Sequence, residues 1–318
     1  MVGNAQSTML KSSMSSNKIL SLNECRKPSM KMLAAFGLDT SPLSAETCAL
    51  AERELRETPE QVQKSLAELR RLLEEKNTLT YKDTDEYLTI FLRPTHFYAE
   101  SAYNLMKRLA TFKEKNEKIV ANPLPREEKK LFTENNVVNV LVDRDQKNRR
   151  VLIINMGSAW DPKSLNSEQL FKVLYLIQIA SLVEEETQVR GAVIIIDFHG
   201  LSTKQVMAMS PSFAMTLLLY IQEAMPLRMK EVHIVRQPFL FNMVWPMFKQ
   251  FVGEKLKKRL FFHGNKMSSL HKHLDANMLP EDYGGKKPKL NYSSADWYPV
   301  LQDLQSYIAD WNTYGLKK

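Results

Sequence analysis

Three groups of residues in this sequence have the types and spacing that chemistry can use. His271 and His273 stand two apart in Leu270-His-Lys-His-Leu274, half of a metal site if further ligands joined them. No cysteine pair at metal spacing and no evident third ligand does so. Asp197 closes the apolar run Ala192-Val-Ile-Ile-Ile-Asp197, and His199 follows in Asp197-Phe-His-Gly200. The carboxyl end of a buried strand is where α/β enzymes keep acid–base groups, but a carboxylate there also caps the next turn, and the capping role is the simpler expectation. The third group is cationic: Arg228 and Lys230 share one side of an extended segment, and Lys255 and Arg259 share one face of a helical one. Together they can converge on a phosphorylated headgroup. A Gly-x-x-x-x-Gly-Lys phosphate loop, a Gly-x-Gly-x-x-Gly turn and a Gly-x-Ser-x-Gly elbow are all missing, so the common enzyme signatures fail.

The elements that must position these groups follow from hydrophobic period. Ala192 to Ile196 is apolar at every position, as expected of a strand covered by helices on both faces. An apolar helix is predicted from Pro211 to Met225, a second strand over Val232–Val235 and a third over Leu260–Phe262. Between the last two lies Gln237 to Val252, where Phe241, Val244/Trp245, Phe248 and Phe251/Val252 recur at three or four residues and Pro246 interrupts. That stretch reads equally as a plain core helix or as a movable lid over an apolar pocket. Upstream, Asn136–Val142 and Arg150–Asn155 are strand-like around a polar loop, and Ser167 to about Glu185 is helical. Alternating strands and helices over about 128–285 predict an α/β domain with a mainly parallel sheet. Before it, 44–120 reads as a small all-helical domain: Val62, Leu66, Leu69 and Leu73 form a stripe behind a Thr58-Pro59 start signal, and helices follow over Asp83–Leu92 and from Ala99 to about Phe112. Residues 1–43 read as a disordered tail, Ser-, Met- and Lys-rich but too poor in Arg and amphipathicity for a transit peptide. Residues 286–318 read as a C-terminal extension with a helix.

Composition sets the outer bounds. The 318 residues are 44% hydrophobic and 25% charged, enough for a large core with an internal cavity. An excess of 44 Lys and Arg over 36 Asp and Glu favours anionic partners. Nucleic acid ranks below a membrane surface, because no stacking aromatics interleave the basic residues. Two cysteines, Cys25 and Cys48, argue against a disulfide framework and for a reducing compartment. With no bilayer-length apolar run, a cytoplasmic protein with transient membrane contact is expected.

Several segments, in order and spacing, carry a family resemblance: Tyr87-Leu-Thr-Ile-Phe-Leu-Arg-Pro-Thr-His-Phe97, Ala159-Trp-Asp-Pro162, Glu186-Thr-Gln-Val-Arg-Gly191, Ile195-Ile-Asp-Phe-His-Gly200, Met225-Pro-Leu-Arg228, and Phe262-His-Gly-Asn265 running on to Leu279-Pro-Glu-Asp-Tyr-Gly-Gly285. They resemble the CRAL-TRIO (Sec14-like) lipid-binding family, and within it the group of alpha-tocopherol transfer protein and cellular retinaldehyde-binding protein. The resemblance implies an α/β lipid-binding domain with a sheet floor, helical walls and a lid helix, behind a helical N-terminal domain. It implies transfer of a small lipophile such as a retinoid or tocopherol, with neither catalysis nor cofactor. Carried over by position, the pocket takes Phe171, Leu174, Gln178, Ile194, Ile196, Leu217, Ile221 and Met225, with Val244, Phe248 and Val252 in a lid over about Phe239–Val252. The phosphoinositide site takes Arg228, Lys230, Lys255 and Arg259. Pro94 departs from the Arg-Ala-Arg pattern common in relatives. Two other roles fit the same fold: a lipid sensor that presents its ligand to a protein partner without bulk transfer, and an enzyme built on Asp197 and His199.

Overall fold

The computed structural model describes residues 36–120 and 122–317. Four helices form the N-terminal region: α1 (Ala45–Leu55), α2 (Pro59–Lys76), α3 (Asp85–Leu92) and α4 (Ala99–Lys115). Their starts are chemically marked. Ser44, Thr58 and Thr84 each accept a hydrogen bond from the backbone N–H three residues on, and Pro59 occupies the first turn of α2, where its missing donor costs nothing. Leu66, Leu69 and Leu73 of α2 and Leu88, Phe91 and Leu92 of α3 are buried in the shared core.

The second region is a five-stranded sheet in the order β1 (Val138–Val140), β2 (Arg150–Asn155), β3 (Ala192–Asp197), β4 (Met229–Val235) and β5 (Leu260–Gly264). β1 pairs antiparallel with β2 and the remaining pairs are parallel. The strand period sorts the two faces. Val151, Ile153, Val193, Ile195 and Val235 pack behind the sheet against Leu270, Leu274, Leu279 and Tyr283. Ile154, Ile194, Ile196, Val232 and Ile234 point forward, toward α5 (Ser167–Ser181), α7 (Pro211–Leu219) and α8 (Phe241–Lys249), while the short α6 (Glu185–Arg190) packs on α1.

Some boundaries depart from expectation. The helix predicted to run to Glu185 stops at Ser181, because Glu184 is buried to accept from Arg144, Arg150 and the Thr187 hydroxyl and holds an extended backbone that restarts α6. The helix predicted to run from Pro211 to Met225 changes to a π turn over Tyr220–Ala224. The tail predicted to extend to residue 43 is anchored at points from Phe36 on: the Phe36 ring lies 4.9 Å edge-on to Tyr292, and the Asp39 N–H donates to Glu184 Oε1 at 3.0 Å. Residues 1–35 of that tail lie outside the described residues.

The C-terminal extension packs across both regions. It forms α9 (Ser294–Asp303), α10 (Gln305–Asn312) and a strand, Gly315–Leu316, antiparallel to Leu79–Thr80 beside α2. Trp311 stacks on Phe91 at 5.9 Å and 4°, and Lys113 Nζ caps the end of α10 by donating to the carbonyls of Asn312, at 3.1 Å, and Tyr314. Burial lowers the Lys113 ammonium to about 8. A second tie is Arg93, 5% exposed, which holds Glu57 at 2.7 Å, the Gln188 side-chain oxygen at 2.7 Å and Glu185 at 3.3 Å. Pro94 therefore sits in a 3₁₀ turn whose preceding arginine is an internal strut.

Candidate functional site

Between the front of the sheet and the helices lies a cavity of about 270 Å³ whose lining is almost entirely apolar. Its floor includes Ile154, Ile194, Ile196, Val232 and Ile234. Its walls are Phe171, Leu174 and Gln178 of α5, Leu217 of α7, Ile221 of the π turn, and Met225. Val244 and Phe248 of α8, with Val252 beyond its end, close it. All eleven residues expected at the pocket therefore line one space. The strand alternation displays the void: Val193 and Ile195 are fully buried, whereas Ile194 and Ile196, which also face protein, remain half-buried. Pro246 lies within α8 and cannot donate to the Asn242 carbonyl, which weakens this helix by about 3 kcal/mol relative to an uninterrupted one.

Sequence reasoning missed part of the wall. Phe36 and Leu38 reach the cavity from a segment without periodicity, and Trp297 and Leu301 reach it from α9. The i, i+4 spacing of the latter pair was the available signal. Arg150 and Glu184 also border the cavity, held together in an ion pair. Gln178 is the polar wall residue that was expected; the Tyr220 hydroxyl donates to its Oε1 at 2.5 Å, while its Nε2 has no partner among the described residues.

The basic residues behave less uniformly than predicted. Gly191, at φ +81°, lets the end of α6 approach the Arg228 carbonyl more closely than any side chain would allow. Arg228 and Lys230 both donate to one oxygen, Glu54 Oε2 of α1, at 2.9 and 3.1 Å. Burial raises the Glu54 carboxyl, but the hydrogen bonds from the two cations outweigh it and leave the group below its ordinary range. Arg259 donates to the Met229 carbonyl at 2.6 Å. Burial, then the charge of Arg228, lowers the Lys230 ammonium and the Arg259 guanidinium, so these three cations share one neighbourhood. Lys255 stands exposed on the short helix Glu254–Lys257, with no ion pair among the described residues. Large apolar side chains are exposed on and near α8: Phe239 is 87% and Met243 59% exposed, and Met207 is 85% exposed.

The possible catalytic groups are otherwise engaged. Asp197 accepts from Arg236 through both carboxylate oxygens, from the Tyr283 hydroxyl at 3.1 Å and from the His199 backbone N–H at 2.9 Å. The His199 imidazole is exposed and not bonded to Asp197, so the two form a capped turn, not an acid–base dyad. His271 Nε2 donates to the Tyr283 carbonyl at 2.9 Å, and no metal-competent cluster occurs among the described residues.

Behind the sheet, Glu231 Oε2, His233, His263 and Ser269 Oγ form a chain with links of 3.3, 3.0 and 2.9 Å. One neutral arrangement satisfies it: Ser269 donates to His263 Nδ1, His263 Nε2–H to His233 Nδ1, and His233 Nε2–H to the Glu231 carboxylate. Burial, then the charges of His233 and His273, lowers His263 to about 4. The unfolded chain takes up this proton at higher pH than the folded one. Stability from neutral His263 is thus full above about pH 6.5 and is lost as pH falls toward 4, by on the order of 2–3 kcal/mol. Urea unfolding at stepped pH should show that loss in the wild type and a flatter profile in His263→Gln. Parallel profiles would remove His263 as the cause.

No helix among the described residues is long and apolar enough to cross a membrane. Residues 134–285 match the family model of the CRAL/TRIO domain. Over 260 residues, 81% of this chain and 75% of the relative, the sequence is 30% identical to the alpha-tocopherol transfer protein-like protein of Mus musculus. It is 27% identical over 277 residues to clavesin-1 of Pongo abelii, covering 86% of this chain and 76% of that protein. The crystal structure of Sfh5 is similar with a TM-score of 0.43 at 16% identity, covering 63% of this chain and 72% of that one.

Proposed function

The chain belongs to the CRAL/TRIO lipid-binding family, and from that premise we propose that it carries one small lipophile of the retinoid or tocopherol kind and delivers it to phosphoinositide-bearing membranes from the cytoplasm. The observation that carries the reading is the apolar cavity under α8, with Met243 of that helix and Phe239 just before it exposed to solvent. Burial of apolar ligand surface at roughly 25 cal/mol per Å² drives capture. Release requires a second apolar phase, which the bilayer supplies once the lid's exposed side chains enter it. The cations hold the protein there, each worth on the order of 1 kcal/mol near an anionic leaflet. No side chain is assigned a chemical step.

The test is vesicle-to-vesicle transfer of a fluorescent lipophile. Arg228 and Arg259 also bond backbone carbonyls, so Lys230→Gln with Lys255→Gln is the cleaner variant. Its transfer to phosphoinositide vesicles should fall about thirtyfold, from the loss of two such charges, with lipophile affinity unchanged. Equal transfer by variant and wild type would overturn docking through this patch. Tight lipophile binding without accelerated transfer by the wild type would instead favour a sensor that presents its ligand to a protein.

A further inference from the structure

Glu54 occupies the position that a headgroup oxygen would need. Arg228 Nη2 and Lys230 Nζ converge on the same atom of it, at 2.9 and 3.1 Å, so the two cations are already arranged around a single acceptor. The acceptor is a carboxylate in the last turn of α1, where the negative end of the helix dipole disfavours an acid; helix stability does not account for its presence. It is also easily released, since the Glu54 side chain is 36% exposed and water takes it up on detachment, whereas Arg228 and Lys230 are 13% and 28% exposed.

We infer that Glu54 sets the minimum headgroup charge at which this surface docks: a polyphosphorylated inositol lipid displaces it, and a singly charged lipid does not. The inference rests on the reading that the patch docks on anionic membranes. Exchanging one monoanion for another leaves the charge interaction nearly unchanged. The resident carboxylate has the further advantage of being tethered, so that its effective concentration is on the order of millimolar. A bisphosphate brings at least one more charge than the carboxylate it replaces, and the neighbouring Arg259 guanidinium is there to meet it. The contact is therefore a threshold built into the site. Removing the charge from Glu54 should lower that threshold, a gain larger on singly charged than on polyphosphorylated lipid, which the mere addition of one positive charge to the surface would not produce.

The experiment is co-sedimentation of the full chain with phosphatidylcholine vesicles carrying either phosphatidylserine or phosphatidylinositol bisphosphate at equal total charge. Wild type should partition to the bisphosphate vesicles. Glu54→Gln should bind phosphatidylserine vesicles about tenfold better than wild type, with a smaller gain on bisphosphate, so that the preference narrows. Adding Lys230→Gln to Glu54→Gln should cancel the gain. A Glu54→Gln protein that unfolds normally yet binds phosphatidylserine vesicles as weakly as wild type overturns the threshold while leaving docking intact. If wild type and variant both fail to prefer any anionic vesicle over pure phosphatidylcholine, the docking reading falls, and the threshold with it. Should Glu54→Gln fold poorly, Glu54→Asp, which keeps the charge but shortens its reach, must give an intermediate gain on phosphatidylserine; no gain there overturns the inference.

Discussion

Ile194→Trp should weaken retention of a lipophile, lowering affinity by at least tenfold, while the protein stays folded. Ile194 sits at the centre of β3, paired with Leu152 on one side and Val232 on the other, and faces the cavity. Adding bulk to a filled core costs about 1–3 kcal/mol through strain. Here the added rings meet a void, so the loss falls on ligand space more than on the fold. Displacement of a fluorescent lipophile measures affinity, and thermal unfolding checks the fold. Ile195→Trp is the contrast: one residue along, on the packed rear face, it should unfold the protein before it alters binding. Unchanged affinity in Ile194→Trp would mean that the lipophile binds elsewhere.

Arg93→Ala should destabilise the protein by about 3–5 kcal/mol, the usual consequence of removing one partner from a buried charged network. The guanidinium joins Glu57, between α1 and α2, to Gln188 and Glu185 of α6, and its loss leaves Glu57, itself 13% exposed, without a counter-charge. Urea denaturation followed by tryptophan fluorescence reports the change. A combined Arg93→Ala and Glu57→Gln variant should recover part of the loss, because the stranded carboxylate is then gone. A single-variant loss under about 1 kcal/mol would show that the strut carries little.

What was legible in the sequence divides by range. Ala192 to Ile196 is apolar at every position, so the pattern marks a strand covered on both faces, and the family resemblance assigns Ile194 and Ile196 to the cavity; helical period separates the cavity-facing side of α8 from Asn242 and Lys249. Those patterns record which face is covered, and covering is local enough to leave a trace. They do not record whether the covered face is filled, so the lid and the plain core helix looked alike until the walls were assembled. The pairing of Glu54 with Arg228 and Lys230 left no trace, because it joins two surfaces far apart in the chain, each of which looks like an ordinary solvated charge. Phe36 and Leu38 were read as tail because two isolated apolar residues make no period. The break at Glu184 was hidden for a related reason: a helix-compatible residue was removed from the helix by arginines elsewhere in the chain.

The strand Gly315–Leu316 lies against Leu79–Thr80, and Trp311 covers Phe91. N-terminal regions ordinarily fold first as a chain is synthesised, at about 5–20 residues per second. In this chain the helices of residues 45–115 lack part of their own covering until residues 311–316 have been made. Translation therefore leaves Phe91 and its neighbours uncovered for on the order of ten seconds or more at those rates. During that interval the nascent chain presents apolar surface of its own, and chaperones that hold such surface are expected to engage it on the ribosome.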